Sequence, residues 1–405
     1  MKGLKLAFIM IGMVFLTGCW DYKEIQDRGY VLGIAIDKVP PLPKGFEPES
    51  EYLSERELEK MPLQQEKPTY AYTIQIPIVA HAKNQPVGAG GGGADKEGSW
   101  DLTIEGYSAM EANRQFSTRI NYPPFYEHMQ VIVISEIVAK EGVGKVLDFF
   151  LRDHEMRRRT RVFVTPGSAK KILDVEPRID DYPATYLAQL PLNADKTSRI
   201  LHKTDLGEMS QSIHGGIDFV LPRIIATKDE IKNAGSAVFK GDKMVGWLGE
   251  LDTVYTKWIR DGVLGGVIVV PMPGKEKGVA TLEIFKAKTK TRPKVEGGQI
   301  KMDIQVKATF SFAEETGDYG ENILDENLIE ALEKEAEKYL KENMEDTIRY
   351  VQKEFGADIF HFRLVLEQYD PKTWEEIGDQ WEDIFPQIEP VITVEARIPQ
   401  IGTTK

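Results

Sequence analysis

One cysteine, Cys19, is all that 405 residues contain. No disulfide can form within the chain, so the fold must be held by core burial alone. Histidine is scarce as well. The six, at positions 81, 128, 154, 202, 214 and 361, are scattered, and no two stand at a metal-ligand spacing. His-Glu-x-x-His and Gly-x-Ser-x-Gly do not occur. Positive charge is in deficit, with 51 basic against 64 acidic residues and a net charge of −13. Polyanions repel such a body, which argues against nucleic acid as a partner. After Cys19 no apolar run reaches the roughly 20 residues of a membrane-spanning helix. The residues therefore point to no enzyme, no metal and no cofactor.

What is present begins at the first residues. Lys2 and Lys5 precede an apolar stretch from Leu6 to Leu16, and Leu16-Thr17-Gly18-Cys19 closes it. The stretch is too short to span a bilayer and fits the core of a signal peptide. The closing tetrad is a lipobox, the cleavage and acylation signal of a bacterial lipoprotein. An ordinary secretory signal would leave the lone thiol without a use. Residues 1–18 are thus expected to be removed and Cys19 to become the lipid-bearing N-terminus. Loss of Lys2 and Lys5 takes the net charge from −13 to −15. So acidic a body is held off an anionic membrane surface, and a covalent anchor overcomes that repulsion.

Hydrophobic periodicity predicts a mixed α/β (α+β) chain. Strands are expected over 31–36, 70–78, 129–134 and 161–164, with helices over 108–119, 143–151 and 167–173. The stretch 39–68, rich in Pro, Glu and Lys, reads as a mobile insertion. Residues 180–223 read as a connector, ending an N-terminal region that spans 19–225. The C-terminal domain, 226–405, should open on a hairpin, 235–240 and 243–248, around Gly241-Asp242. A helix over 250–260 and a strand over 265–271 follow. Strands 279–288 and 300–312 then flank a basic turn at 290–294. The longest element is a helix over 325–355, lying on a sheet face with Leu328, Leu332, Ala336, Tyr339, Met344, Ile348, Val351 and Phe355. A Trp-bearing helix (Trp374, Trp381) and a strand over 391–398 close the chain.

Three features invite a functional reading. Glycines at 88, 90–93 and 98 suggest a phosphate loop, but no Gly-Lys-Ser/Thr follows, which leaves a flexible hairpin connection. Ser168-Ala169-Lys170-Lys171 matches Ser-x-x-Lys without the companion motifs of penicillin-binding enzymes. Arg152, Arg157, Arg158, Arg159 and Arg161 form a basic cluster in an acidic chain. It is either a solvated helix end or a contact for an acidic partner or lipid headgroups.

Several segments resemble one family. Cys19-Trp20-Asp21-Tyr22-Lys23-Glu24-Ile25, followed by Gly33-Ile34-Ala35-Ile36-Asp37-Lys38, resembles the mature start of spore germination receptor C-subunits, the Ger(x)C lipoproteins. The likeness continues at Phe149–Asp153, Gly235–Gly246, Gly265–Ile268, Gly356–Phe360 and the closing helix with Phe385-Pro386. The 39–68 stretch and the glycine-rich 88–93 depart from the family pattern. The resemblance implies three sheet-and-helix modules, two in the N-terminal half and one in the C-terminal half. It implies a lipid-anchored, non-catalytic subunit of a nutrient germinant receptor, required for spore germination. Its partners would be the membrane-embedded A and B subunits, on the outer face of the inner spore membrane. The other function class left open is an extracytoplasmic solute-binding lipoprotein that captures the germinant itself. Cys19 is the residue carried over, as lipid acceptor.

Replacing Cys19 by Ala should abolish lipidation and leave the precursor uncleaved at this site. Metabolic labelling with a palmitate analogue checks this, and label persisting on Cys19→Ala contradicts it.

Overall fold

The structure, a computed structural model, describes residues 28–39, 69–78, 98–201, 204–227, 230–274, 277–316 and 326–401. Residues 1–18, read as a signal peptide, Cys19, the stretch read as an insertion beyond Val39 and the glycines at 88 and 90–93 lie outside the described residues. Fourteen strands form three sheets among the described residues. They are β1 (Gly29–Tyr30), β2 (Gly33–Lys38), β3 (Tyr70–Pro77), β4 (Ser99–Gly106), β5 (Pro124–Phe125), β6 (Val131–Ser135) and β7 (Arg161–Thr165). The others are β8 (Phe219–Ala226), β9 (Ile231–Lys240), β10 (Lys243–Leu248), β11 (Val267–Pro271), β12 (Val279–Glu296), β13 (Gln299–Thr316) and β14 (Glu389–Ile401).

The large sheet runs β10-β9-β8-β7-β6-β2-β3-β4. Its centre, β2, β6, β7 and β8, is parallel, and antiparallel pairs flank it on both sides. The central strands carry near-continuous apolar runs because both faces are covered. Ile34, Ile132, Ile134, Val162 and Val164 face one core, under α1 (Ala109–Phe116), α2 (Glu136–Glu141), α3 (Val143–Arg152) and α6 (Leu206–Gly215). Ala35, Val131, Val133 and Phe163 face the other, under α4 (Lys170–Leu173) and α5 (Pro183–Gln189). Ser108 starts α1 by accepting from the Glu111 backbone N–H at 3.2 Å, a side-chain cap of the usual kind.

The second sheet runs β11-β12-β13-β14. One face is covered by α7 (Glu250–Ile259), α8 (Glu326–Glu354) and α9 (Phe362–Tyr369), with α10 (Pro371–Ile377) and α11 (Trp381–Ile384) at its end. Helix α8 buries Leu332, Ala336, Leu340, Met344, Ile348 and Val351. Leu340 closes the five-residue gap between Tyr339 and Met344 and keeps the stripe continuous.

Three expectations change. The hairpin read as the start of the second lobe, β9–β10, pairs instead with β8 and extends the first sheet. It does so because its residues serve two cores: Ala237 and Phe239 face one, Val238 and Leu248 the other. Strand β8 itself falls in the stretch read as a connector. Pro222 interrupts its pattern but sits at a bulge, where a missing N–H is tolerated. The basic turn at 290–294 is strand. The turn is Gly297-Gly298, whose φ values of 59° and 84° suit glycine. Beyond β11, this part of β12 has no second neighbour among the described residues, so Pro293 costs no ladder bond there and the lysines and Arg292 guard an open edge.

Leu340→Ala should destabilise the chain by roughly 2–5 kcal/mol, as expected for emptying a buried leucine site. Exposed Lys341→Ala should stay within about 0.5 kcal/mol. Urea unfolding separates them, and equal midpoints would remove α8 from the core.

Candidate functional site

Open parallel sheets bind ligands beyond the carboxyl ends of their strands, where neighbouring strands send their connections in opposite directions. Here that point lies between β2, which leads to β3, and β6, which leads through α2 and α3 to β7. The chain fills it with its own carboxylate. Asp37 ends β2 and accepts hydrogen bonds from Ala169 N at 2.7 Å, Lys170 N at 2.9 Å and Ser168 Oγ at 3.1 Å. These donors are the groups an anionic ligand would otherwise use. Beside it Lys38 pairs with Glu141 at 2.8 Å and lies 5.1 Å from the Tyr70 ring centre. The Asp37-Lys38 pair quoted above thus ties the carboxyl end of β2 to the start of α4 and the end of α2. The same bonds engage Ser168, leaving the Ser-x-x-Lys match a helix start.

Lys257 and His214 are also engaged. Lys257 is buried and gives its ammonium to the Ile200 carbonyl at 2.7 Å, and burial pushes it down to about 8. His214 Nδ1 lies 2.7 Å from the Ser210 carbonyl oxygen, one turn back on α6. His154 is exposed, and His81 and His202 lie outside the described residues. Among the described residues no three His, Cys, Asp or Glu side chains gather as metal ligands would.

The lobes meet at two carboxylates, Asp218, half-buried, and Asp358, buried, to which the sequence reading gave no role. Asp218, just before β8, accepts from Gly241 N in the β9–β10 turn at 3.2 Å and from Asp358 N at 2.8 Å. Asp358 accepts from Phe362 N at 3.0 Å, Arg363 N at 2.7 Å and the Trp381 indole N–H at 3.2 Å. Arg363 reaches back across the junction to the Gly216 carbonyl at 2.6 Å. Burial pushes Asp358 up to about 6, although its hydrogen bonds pull the other way. Burial raises Asp218 as well. Between them His361 takes a left-handed backbone, φ 63°. Burial and then the nearby Arg260 push it down to about 3, so it is neutral at physiological pH. A lone Asp among 64 acidic residues carries no sequence signal for such a role.

The arginine cluster divides. Arg152 pairs with Asp148 one turn back on α3 at 2.7 Å, and Arg158 points toward Ser210 Oγ at 3.5 Å. Arg157, Arg159 and Arg161 line one cavity of about 370 Å³ with Glu127, His128, Gln130 and Ala188. Elsewhere the surface is open in a different way. Val267, Val269 and Phe285 share the uncovered face of the second sheet at its β11 edge.

Fold and site together define a two-lobed α+β protein whose buried polar groups hold the chain together. Comparison with known proteins gives the family. A family model described as "Spore germination protein N-terminal domain" matches residues 21–226. A second, "Spore germination B3/ GerAC like, C-terminal", matches residues 234–402. The chain belongs to this spore germination family, the Ger(x)C proteins. It is 29% identical to spore germination protein YndF of Bacillus subtilis (strain 168), over 99% of this chain and 97% of that protein. It is 24% identical to spore germination protein B3 of the same organism, with 98% of each covered. The crystal structure of the GerBC protein superposes with a TM-score of 0.57 at 22% identity, covering 82% of this chain and 93% of that one. That likeness shows the α+β fold.

The junction yields a pH test. The folded value of Asp358 lies above the roughly 3.9 of an unfolded aspartate. As pH falls the native state takes up its proton first. This group's contribution to stability therefore rises as pH drops from about 6 to about 4, and is lost as pH climbs back through 6. Asp358→Asn should reduce that slope. It should also cost roughly 1–3 kcal/mol at neutral pH, because an amide N–H would face a buried donor. Urea midpoints across the interval decide, and an unchanged slope would contradict the assignment.

Proposed function

We propose that this chain is a lipid-anchored, non-catalytic subunit of a nutrient germinant receptor. It acts by assembling with the membrane-embedded A and B subunits on the outer face of the inner spore membrane. The observation that carries the reading is continuity. The family match begins at residue 21, immediately after the lipobox Cys19, and runs to residue 402. Supporting it, Asp37 takes up the Ala169 and Lys170 backbone N–H groups near the switch point where the anionic group of a solute would be expected. Confinement beside the bilayer raises the effective concentration of membrane partners, so a weak protein interface is enough. The uncovered apolar positions at the β11 edge suit contact with protein better than capture of a polar nutrient.

Two measurements test this together. Spores lacking the chain should lose their response to the nutrient served by the cognate A and B subunits. The purified chain should give no heat with amino acids or sugars. Submillimolar binding of one germinant to the isolated chain would replace this reading with that of a solute-binding lipoprotein.

A further inference from the structure

The cavity lined by Arg157, Arg159 and Arg161 lies at the amino ends of β2, β6 and β7. Backbone bonds from Arg161 N to Gln130 O, 2.9 Å, and from Gln130 N to Leu32 O, 2.8 Å, tie those ends together. Three guanidiniums line it with one carboxylate, Glu127, while Asp205 acts on Arg161 from nearby, in a protein whose charge without residues 1–18 is −15. Arg161 donates Nε–H to the Ala188 carbonyl at 3.1 Å. Arg157 approaches Glu127 no nearer than 3.9 Å. Arg159 is exposed and has no side-chain partner among the described residues. Planar guanidinium forks converging on one hollow match the oxygens of a phosphate.

The position of this hollow identifies the source of the phosphate. His128, on its wall, packs edge-on against Tyr30 with ring centres 5.1 Å apart, and Tyr30 belongs to the first described strand. Arg28 lies 4.0 Å over Phe125, the third ring of that cluster. Arg28 follows Cys19 by nine residues, a tether that spans at most about 30 Å. The basic hollow and the approach to the anchor therefore share one end of the molecule.

We propose that this cavity receives the phosphate of an anionic phospholipid headgroup and so fixes which end of the protein faces the bilayer. The placement rests on Cys19 being the lipid attachment point. An acyl tether alone holds the protein near the membrane without orienting it. Attraction to the headgroups at this end, with the acidic remainder repelled, supplies the orientation. Both act only within a Debye length, about 8 Å at physiological salt.

The test uses residues 20–405 without an acyl group, which hold every described element, so its failure and the absence of label at Cys19 are separate outcomes. Co-sedimentation is measured with vesicles of phosphatidylcholine alone and of an equal mixture with phosphatidylglycerol, at low salt. The chain should bind the mixed vesicles and not the neutral ones. Arg159→Gln should weaken binding about fivefold, and Arg157→Gln with Arg159→Gln about 25-fold, the factors that ~1 kcal/mol per arginine gives. The same charge change on α8, Lys334→Gln with Arg349→Gln, should leave binding intact. Equal loss from the α8 pair, no preference for anionic vesicles, or calorimetric binding of inorganic phosphate without vesicle binding would each overturn the proposal. Failure to bind vesicles while retaining an acidic protein through the same arginines would overturn it in favour of a protein contact.

Discussion

Strands β8 and β9, with Leu248 at the end of β10, are buried on both faces, but against two different cores. Phe219, Leu221, Ala237 and Phe239 pack toward the helices of the first lobe, whereas Val220, Val238 and Leu248 pack toward Trp258 and the second. A strand has only two faces, so neither lobe can part from the other without exposing one of them to water. Much of the remaining structure follows from this sharing. The turn of the hairpin brings Gly241 to Asp218, Asp218 holds the backbone of Asp358, and Asp358 in turn holds the start of α9 and Trp381. Two close approaches reinforce the union. Gly265 and Gly266 sit where a side-chain carbon would lie 2.0 Å from Asp195 O and 2.6 Å from Ser198 N.

Parting the lobes around a small solute would expose these shared strands to water. Three of its polar groups are used against the chain itself: Asp37 on Ser168–Lys170, Lys257 on Ile200 and Asp358 on its ring of donors. What remains available is surface, and the surface is uneven. An acidic exterior carries a hollow lined by three arginines at the amino ends of β6 and β7, and the second sheet exposes apolar side chains at its β11 edge. Such anisotropy suits a protein that works by where it sits and what it touches.

Much of the architecture was legible in the sequence, for a physical reason that also explains the misses. Strands covered on both faces leave unbroken apolar runs, and 33–36, 131–134 and 162–164 announced themselves in that way. The stripe on α8 was readable because it repeats at helical spacing. Position decides what periodicity cannot. Arg292, Pro293 and Lys294 look like a turn until β12 is known to be an edge, and Pro222 looks like a break until a bulge accommodates it. The hairpin at 241–242 was visible as a hairpin, but nothing local says which sheet receives it. The polar sites were the least legible. Asp37 stood in a quoted motif without a visible role, and Asp358 became recognisable only once its donors, four, five and 23 residues away, had folded around it.

The central claim is that the chain works as part of a membrane complex. Affinity purification of the tagged protein from detergent-solubilised spore membranes tests it most directly. The account predicts that the A and B subunits co-elute with it in a constant ratio, and that Phe285→Asp or loss of Cys19 lowers their recovery in separate ways. A chain that elutes alone from such membranes, with a nutrient molecule bound to it, would contradict the account.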